Sequence, residues 1–209
     1  MENPWLHIPL DDYEGHMAHT DVAQDILLAD VLELAVRRHA PSSLAVIGCA
    51  GGNGFDRLAA FSLERVVAVD INPIYVQNVR KRYEAMLPGL QLIAGDIQDD
   101  GVSFTSVDLI IAGLLFEYVD SDRTLTRLHA LLRPGGVLVS VIQLPCEQTA
   151  VTHTPYTSLN RLEGYMRLIS PEQLTEMAVK CGFKEITSSL LRSAAGKPFQ
   201  LLEYQRTAK

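Results

Sequence analysis

A chain of 209 residues, 47% of them apolar and 21% charged, with 14 glycines and 10 prolines, has the make-up of one folded domain and not of a disordered or fibrous polymer. Its 18 lysines and arginines against 25 aspartates and glutamates leave a formal charge of −7, without the basic stripe that nucleic acid or an anionic membrane rewards. Neither is an expected partner.

In chain order, the apolar positions from Asp21 to His39 recur at helical spacing, with Thr20 or Asp21 placed to cap the helix. After Pro41, the run Leu44 to Ile47 is wholly apolar and suits a strand covered on both faces. The alternation then repeats. Arg65 to Asp70 reads as a strand, Pro73 to Met86 as a helix, Leu92 to Ala94 as a strand and Val107 to Ala112 as a fourth. Asp122 to Leu132 reads as a helix stopped by Pro134 and glycine before a fifth strand, Val137 to Ile142. Pro171 to Cys181 reads as a last helix. Phe183 to Leu191 and Phe199 to Tyr204, joined across Gly196 and Pro198, read as an antiparallel hairpin closing one edge of the sheet. The pattern predicts an α/β fold, a mostly parallel sheet with helices on both faces.

The three cysteines, Cys49, Cys146 and Cys181, have no paired spacing, so no disulfide framework is expected. Met1 to Leu10 lacks the basic start and apolar run of an export signal, and no stretch approaches the roughly 18 apolar residues of a membrane helix. A reduced, cytoplasmic setting is expected.

In open α/β sheets, ligands lie beyond the carboxyl ends of the strands. The first strand runs into Gly48-Cys49-Ala50-Gly51-Gly52-Asn53-Gly54, where glycine permits a sharp turn and close approach of a ligand, although a tight connection alone also explains such a turn. The second ends at Asp70, 18 residues after Gly52, near the spacing at which an acid accepts hydrogen bonds from a ribose diol; capping the helix at Pro73 is the simpler alternative. The third ends at Gly95-Asp96, a second carboxylate suited to an adenine amino group. The fourth ends at Gly113-Leu114-Leu115-Phe116-Glu117-Tyr118, where Leu114 and Phe116 form either a wall beside a base or plain core. A dinucleotide loop, G-x-G-x-x-G, fails here, because counting from Gly48 the third position is Ala50 and the sixth Asn53.

From Ser43 to Val141 the sequence resembles the class I S-adenosylmethionine-dependent methyltransferases. Their acid-x-G-x-G-x-G signature falls on Val46 to Gly52, with Val46 in place of the acid and Ala50 in place of the middle glycine. Their LxPGG turn falls on Leu132 to Gly136. The resemblance implies a three-layer Rossmann-like fold with a seven-stranded sheet, a C-terminal antiparallel hairpin and an N-terminal helical cap. Residues 1–40 would form the cap segment and helix, and 41–209 the domain that binds S-adenosylmethionine and releases S-adenosylhomocysteine. Cofactor contacts are implied at Gly48, Cys49, Ala50 and Gly52 of the loop, at Asp70 and Ile71 for the ribose, at Asp96 and Ile97 for adenine, and at Gly113 and Leu114. The opening WLHIPLDDYEGHM and the later QLPCEQ look like a subgroup without an assigned substrate, which implies a cap over the cofactor and names no acceptor.

A sulfonium methyl is already activated, so the protein needs chiefly to align an acceptor and exclude water. Glu117, Tyr118 and His16 are the candidate catalytic groups, and Tyr13, Gln143 and His153 the candidate substrate contacts, with Glu14 also near the expected mouth. Each has a bland alternative: a surface carboxylate at Glu117, a half-buried ring at Tyr118, a solvated cap residue at His16, an ordinary loop residue at His153. Enzymes methylating base amino groups or glutamine amides resemble one another in an N/D/S-P-P-aromatic segment, where this chain has Gly113-Leu114-Leu115-Phe116, so a small-molecule acceptor is favoured. The remaining histidines, His7, His19, His39 and His129, lack metal-ligand spacing and predict no metal site. A nicotinamide oxidoreductase and a non-catalytic cofactor-binding protein stand as the alternatives.

Overall fold

The computed structural model describes residues 3–147 and 149–207; Gln148, the last residue of the QLPCEQ segment, and Met1 of the opening lie outside them. The apolar, β-branched runs pair side by side as β1 (Ser43–Ile47), β2 (Arg65–Asp70), β3 (Leu90–Ala94), β4 (Val107–Gly113), β5 (Leu132–Gln143), β6 (Phe183–Arg192) and β7 (Pro198–Arg206). They form one sheet in the order β3-β2-β1-β4-β5-β7-β6. The pairings from β3 to β5 are parallel, and β7 runs antiparallel to both its neighbours.

Six α-helices connect and cover the strands: α1 (Leu10–Ala18), α2 (Asp25–His39), α3 (Phe55–Leu58), α4 (Pro73–Tyr83), α5 (Ser121–Leu131) and α6 (Pro171–Lys180). Alternate side chains of each strand enter opposite faces, so the sheet carries two cores. Leu44 and Val46 of β1 pack with Val31 and Val36 of α2, Phe55 of α3 and Val79 of α4. Ala45 and Ile47 pack on the other face with Leu125 and Leu128 of α5 and Leu174 of α6. This is the Rossmann-like methyltransferase fold. α2 packs directly on the sheet, so of the described residues 3–40 it is the 3-10 turn Pro4–His7 and α1 that lie by the strand ends.

Two local differences from the sequence pattern, the start of α2 and the end of α5, have identifiable causes. Ala23 adopts a left-handed φ of 48° and the Gln24 amide bonds the Met17 carbonyl, so residues 21–24 form a turn and α2 begins at Asp25, without Thr20 or Asp21 as its cap. The helix at Phe55 is one turn long. α5 ends at Leu131, before Pro134, because the residue preceding a proline disfavours helix; Leu132 is already extended and β5 starts there. The hairpin closes the β5 edge of the sheet as expected, with β7 paired to β5 and β6 outermost.

Polar groups fasten the framework. Asp108 of β4 accepts from the backbone amides and hydroxyls of Ser42 and Ser43, at 2.8 to 3.1 Å. Glu203 of β7, 2% exposed in its side chain, is paired with Arg38 at 2.5 Å and His39 at 2.9 Å from the last turn of α2.

Candidate functional site

The chain leaves β1 towards β2 and later returns to add β4 on the other side of β1, so the strand order reverses between β1 and β4. Both turns at that crevice are strained. Ala50 after β1 and Leu114 after β4 hold left-handed φ values of 45° and 53°, which costs of order 1–3 kcal/mol for a residue with a Cβ. Neighbouring strand ends hold them: the Gly48 and Cys49 amides bond the Val69 carbonyl at 2.8 and 3.1 Å, and the Leu114 amide bonds the Val141 carbonyl at 2.8 Å.

Asp70 ends β2 beside the glycine-rich turn. Its Oδ2 accepts from the Ala50 amide and its Oδ1 from the Asn72 amide, both at 2.8 Å. The helix cap proposed as its simpler role belongs to Asn72, whose side chain accepts from the Ile74 amide. Burial raises the Asp70 pKa to about 6 against the two amides, which favour the ionised form. Each oxygen has one protein partner and a lone pair to spare. At the end of β3, Asp96 is partly exposed and already bonded by its neighbour: the Gln98 amide reaches Oδ1 at 2.9 Å and its side chain reaches both oxygens at 3.2 Å.

Above these turns lies a cavity of about 1120 Å³, counted with its mouth. Its floor carries Gly48, Ala50, Asp70, Ile71, Asp96, Ile97, Gly113 and Leu114. The roof is the N-terminal cap. The Trp5 ring meets Tyr13 and Tyr118 edge-on at centroid distances of 5.8 and 5.0 Å. The cap is held down by Asn72 Nδ2 to the Trp5 carbonyl and by the Tyr75 hydroxyl to the Ile8 carbonyl, both at 2.9 Å. Arg82 of α4 adds bonds to Glu14 and to the Gly51 carbonyl. The far wall comes from Val151, Thr152, Leu159, Leu162 and Met166.

The structure therefore brings most of the expected site residues together, with exceptions. Cys49 is buried in the core behind the loop, and Gly52 faces Tyr83 and Phe55; neither lines the cavity. Tyr13 packs on Ala50 and Tyr75 over the glycine turn, at the cofactor end and not at an acceptor mouth; burial, and then the Asp70 charge, push its pKa up. Tyr118, His16 and Gln143 line the cavity. Burial, and then the Lys197 charge, lower the His16 pKa to about 4, and its Nδ1 lies 3.0 Å from Thr154 Oγ1.

Two expectations fail. Glu117 is neither a surface carboxylate nor a cavity group. The turn closed by the Tyr118 amide on the Leu115 carbonyl buries it, its Oε1 accepts from the Gln143 amide at 2.6 Å, and burial raises its pKa to about 7. His153 points outward to Glu163 at 2.5 Å, while Val151 and Thr152 before it line the cavity. Sequence reasoning missed Trp5, Gln24, Gln98, Thr152 and Lys197, all on the cavity wall. Lys197 sits in a Gly-Lys-Pro turn, which reads as solvent-exposed, yet it is 1% exposed.

Residues 45–140 match the family described as "Methyltransferase domain". Over 125 residues, 58% of this chain and 46% of the relative, the sequence is 33% identical to the trans-aconitate 2-methyltransferase of Variovorax paradoxus (strain S110). Over 156 residues, 72% of this chain and 52% of the relative, it is 30% identical to that of Methylobacterium radiotolerans. These matches support a class I S-adenosylmethionine-dependent methyltransferase domain in this chain. The chain spans about half the length of these curated relatives. The N-methyltransferase NodS from Bradyrhizobium japonicum WM9, solved with S-adenosylhomocysteine, shares the fold at a TM-score of 0.70 and 19% identity, over 99% of this chain and 100% of that one.

The methyltransferase cavity fits this family's donor. The spare lone pairs of Asp70 match the two hydroxyls of a ribose, and the left-handed Ala50 turn exposes backbone where a side chain would intrude. The rings of Trp5, Tyr13 and Tyr118 suit a sulfonium cation. Among the described residues no group of three or more His, Cys, Asp or Glu could hold a metal ion, and no helix is long and apolar enough to cross a membrane.

Proposed function

We propose that this protein transfers a methyl group from S-adenosylmethionine to a small-molecule acceptor. The observation that carries the reading is a continuous cavity that has Asp70, Asp96 and the strained Ala50 and Leu114 turns on its floor, Tyr13 over the glycine turn, and further space lined by Trp5, Tyr118, Val151 and Leu162. A concave, mostly apolar cavity with a few convergent polar groups is the usual form of a small-molecule site. The two relatives named trans-aconitate 2-methyltransferase support an acceptor of that size.

When bound, the cofactor supplies a methyl group activated by its sulfonium. The residues of this chain do the rest. Asp70 anchors the ribose end through charge-assisted hydrogen bonds. The cap and the 151–166 segment exclude water and hold the acceptor in line. His16 stays neutral at neutral pH, so its imidazole adds no positive charge beside a cationic donor.

Calorimetry with S-adenosylhomocysteine, followed by transfer of a labelled methyl group to a panel of small metabolites, tests the reading. Binding and transfer are expected; no heat with S-adenosylhomocysteine at high protein concentration would overturn it.

A further inference from the structure

The cavity is electrically polarised. Its two lining carboxylates, Asp70 and Asp96, stand at the ends of β2 and β3, and an ammonium group, Lys197, stands at the start of β7 beside the end of β5. Lys197 is 1% exposed. Its Nζ donates to the Thr149 carbonyl at 3.1 Å, the Ala150 carbonyl at 3.1 Å and Thr152 Oγ1 at 2.8 Å. These three acceptors are neutral groups, so they satisfy its protons without cancelling its charge. Among the described residues no carboxylate forms an ion pair with it.

Burying a charge without a partner is unfavourable, and burial here pushes the ammonium pKa down. A neutral side chain in this hairpin would fasten the 149–152 strap without that cost. Thr152 shows where the positive field is directed: its oxygen accepts from Lys197, so its own proton is available to donate, and the residue lines the cavity. A hydroxyl polarised by an ammonium is a strong donor to an anion. Gln143, whose Nε2 also bonds the Ala150 carbonyl, completes the same wall.

We infer that the Thr152–Lys197 corner binds a carboxylate group of the methyl acceptor, which makes this enzyme selective for acidic small molecules. The inference rests on the methyltransferase reading. A carboxylate could also arrive on the methionyl arm of the cofactor. The sheet argues for the acceptor: Lys197 immediately precedes β7, which lies four strands across from β2, so at about 4.8 Å per strand the two backbones stand roughly 19 Å apart.

The test uses the full chain saturated with S-adenosylhomocysteine, titrated with phenylacetate, octanoate and trans-aconitate and with their primary amides. At least one acid is expected to bind ten-fold or more tightly than its amide. Thr152→Val, nearly equal in shape, should bring that preference within three-fold while S-adenosylhomocysteine affinity stays within two-fold of wild type. Lys197→Arg, which keeps the charge, should retain most of the preference, and circular dichroism verifies that both variants fold. Acids and amides binding alike, or no acid binding at millimolar concentration while S-adenosylhomocysteine still binds, overturns the inference and leaves the methyltransferase reading standing. A ten-fold loss of S-adenosylhomocysteine affinity in Thr152→Val with the acid preference intact assigns the corner to the cofactor's own carboxylate and also overturns it. Absence of S-adenosylhomocysteine binding in wild type is the separate failure of the methyltransferase reading.

Discussion

The Ala50 amide donates to Asp70 Oδ2 at 2.8 Å, so the carboxylate that ends β2 also holds the strained turn that follows β1. One side chain thus shapes the loop and presents lone pairs to a ribose. Asp70→Asn should weaken S-adenosylhomocysteine binding by the roughly 1.5–3 kcal/mol of a charge-assisted hydrogen bond, about 10- to 100-fold.

The same residue sets a pH dependence. Ribose hydroxyls donate to the ionised carboxylate, which in the free protein gains a proton near pH 6. Affinity measured by calorimetry should therefore rise from pH 5 to about pH 7 and then level off. In Asp70→Asn the profile should be flat, and an equally steep profile there would assign the titration to another group.

His16 governs stability in acid. Its pKa is about 4 in the folded protein and near 6.5 unfolded, so the unfolded chain binds the extra proton between those values. Its contribution is fully present above pH 6.5 and is lost as pH falls towards 4, by up to about 1.4 kcal/mol per pH unit. Asp70, with a raised pKa, acts in the opposite sense between about 4 and 6. The difference in urea-unfolding free energy between wild type and His16→Gln isolates the histidine, and it should shrink as pH drops from 7 to 4.5.

Glu117 titrates the other way. Its pKa rises to about 7 on folding, so stability is full below the unfolded value near 4.5 and is lost as pH rises through 7. Its Oε2 has no hydrogen-bond partner among the described residues. Glu117→Gln keeps an acceptor for the Gln143 amide and removes the buried charge. Relative to wild type its melting temperature should climb between pH 5 and pH 8, by a stability difference on the order of 2–3 kcal/mol. A constant offset at both pH values would show that the carboxyl titrates alike in the folded and unfolded chain, so that burial does not raise its pKa.

Gly15 fixes the cap. A Cβ there would lie 2.2 Å from the Tyr156 ring, which packs beneath α1, whereas one at Gly101 would meet nothing within 4 Å. Gly15→Ala should cost roughly 1–3 kcal/mol of overpacking and reduce hydrogen-exchange protection across Leu10–Ala18. Gly101→Ala should do neither.

Strand and helix periodicity placed β1 to β5 and their helices, because apolar runs and turn residues are local properties of the chain. The glycine turn, Asp70 and Asp96 were legible for the same reason: parallel strands must all end on one side of the sheet, so whatever follows each strand converges there. The order β5-β7-β6 was not legible, since it depends on which strand wins the long-range pairing with β5.

The sequence by itself determined the layered α/β fold and the placing of Asp70 and Asp96 at the ends of adjacent strands, features carried by residues within a few positions of a strand end. Only the tertiary structure decided which way individual side chains point. Glu117 turned into the core onto the Gln143 amide and His153 outward onto Glu163, partners 26 and 10 residues away that a local pattern does not encode. Lys197 became a buried cation because a distant strap, residues 149–152, folds its carbonyls and a hydroxyl around the ammonium, a contact between segments 45 to 48 residues apart that no local pattern encodes.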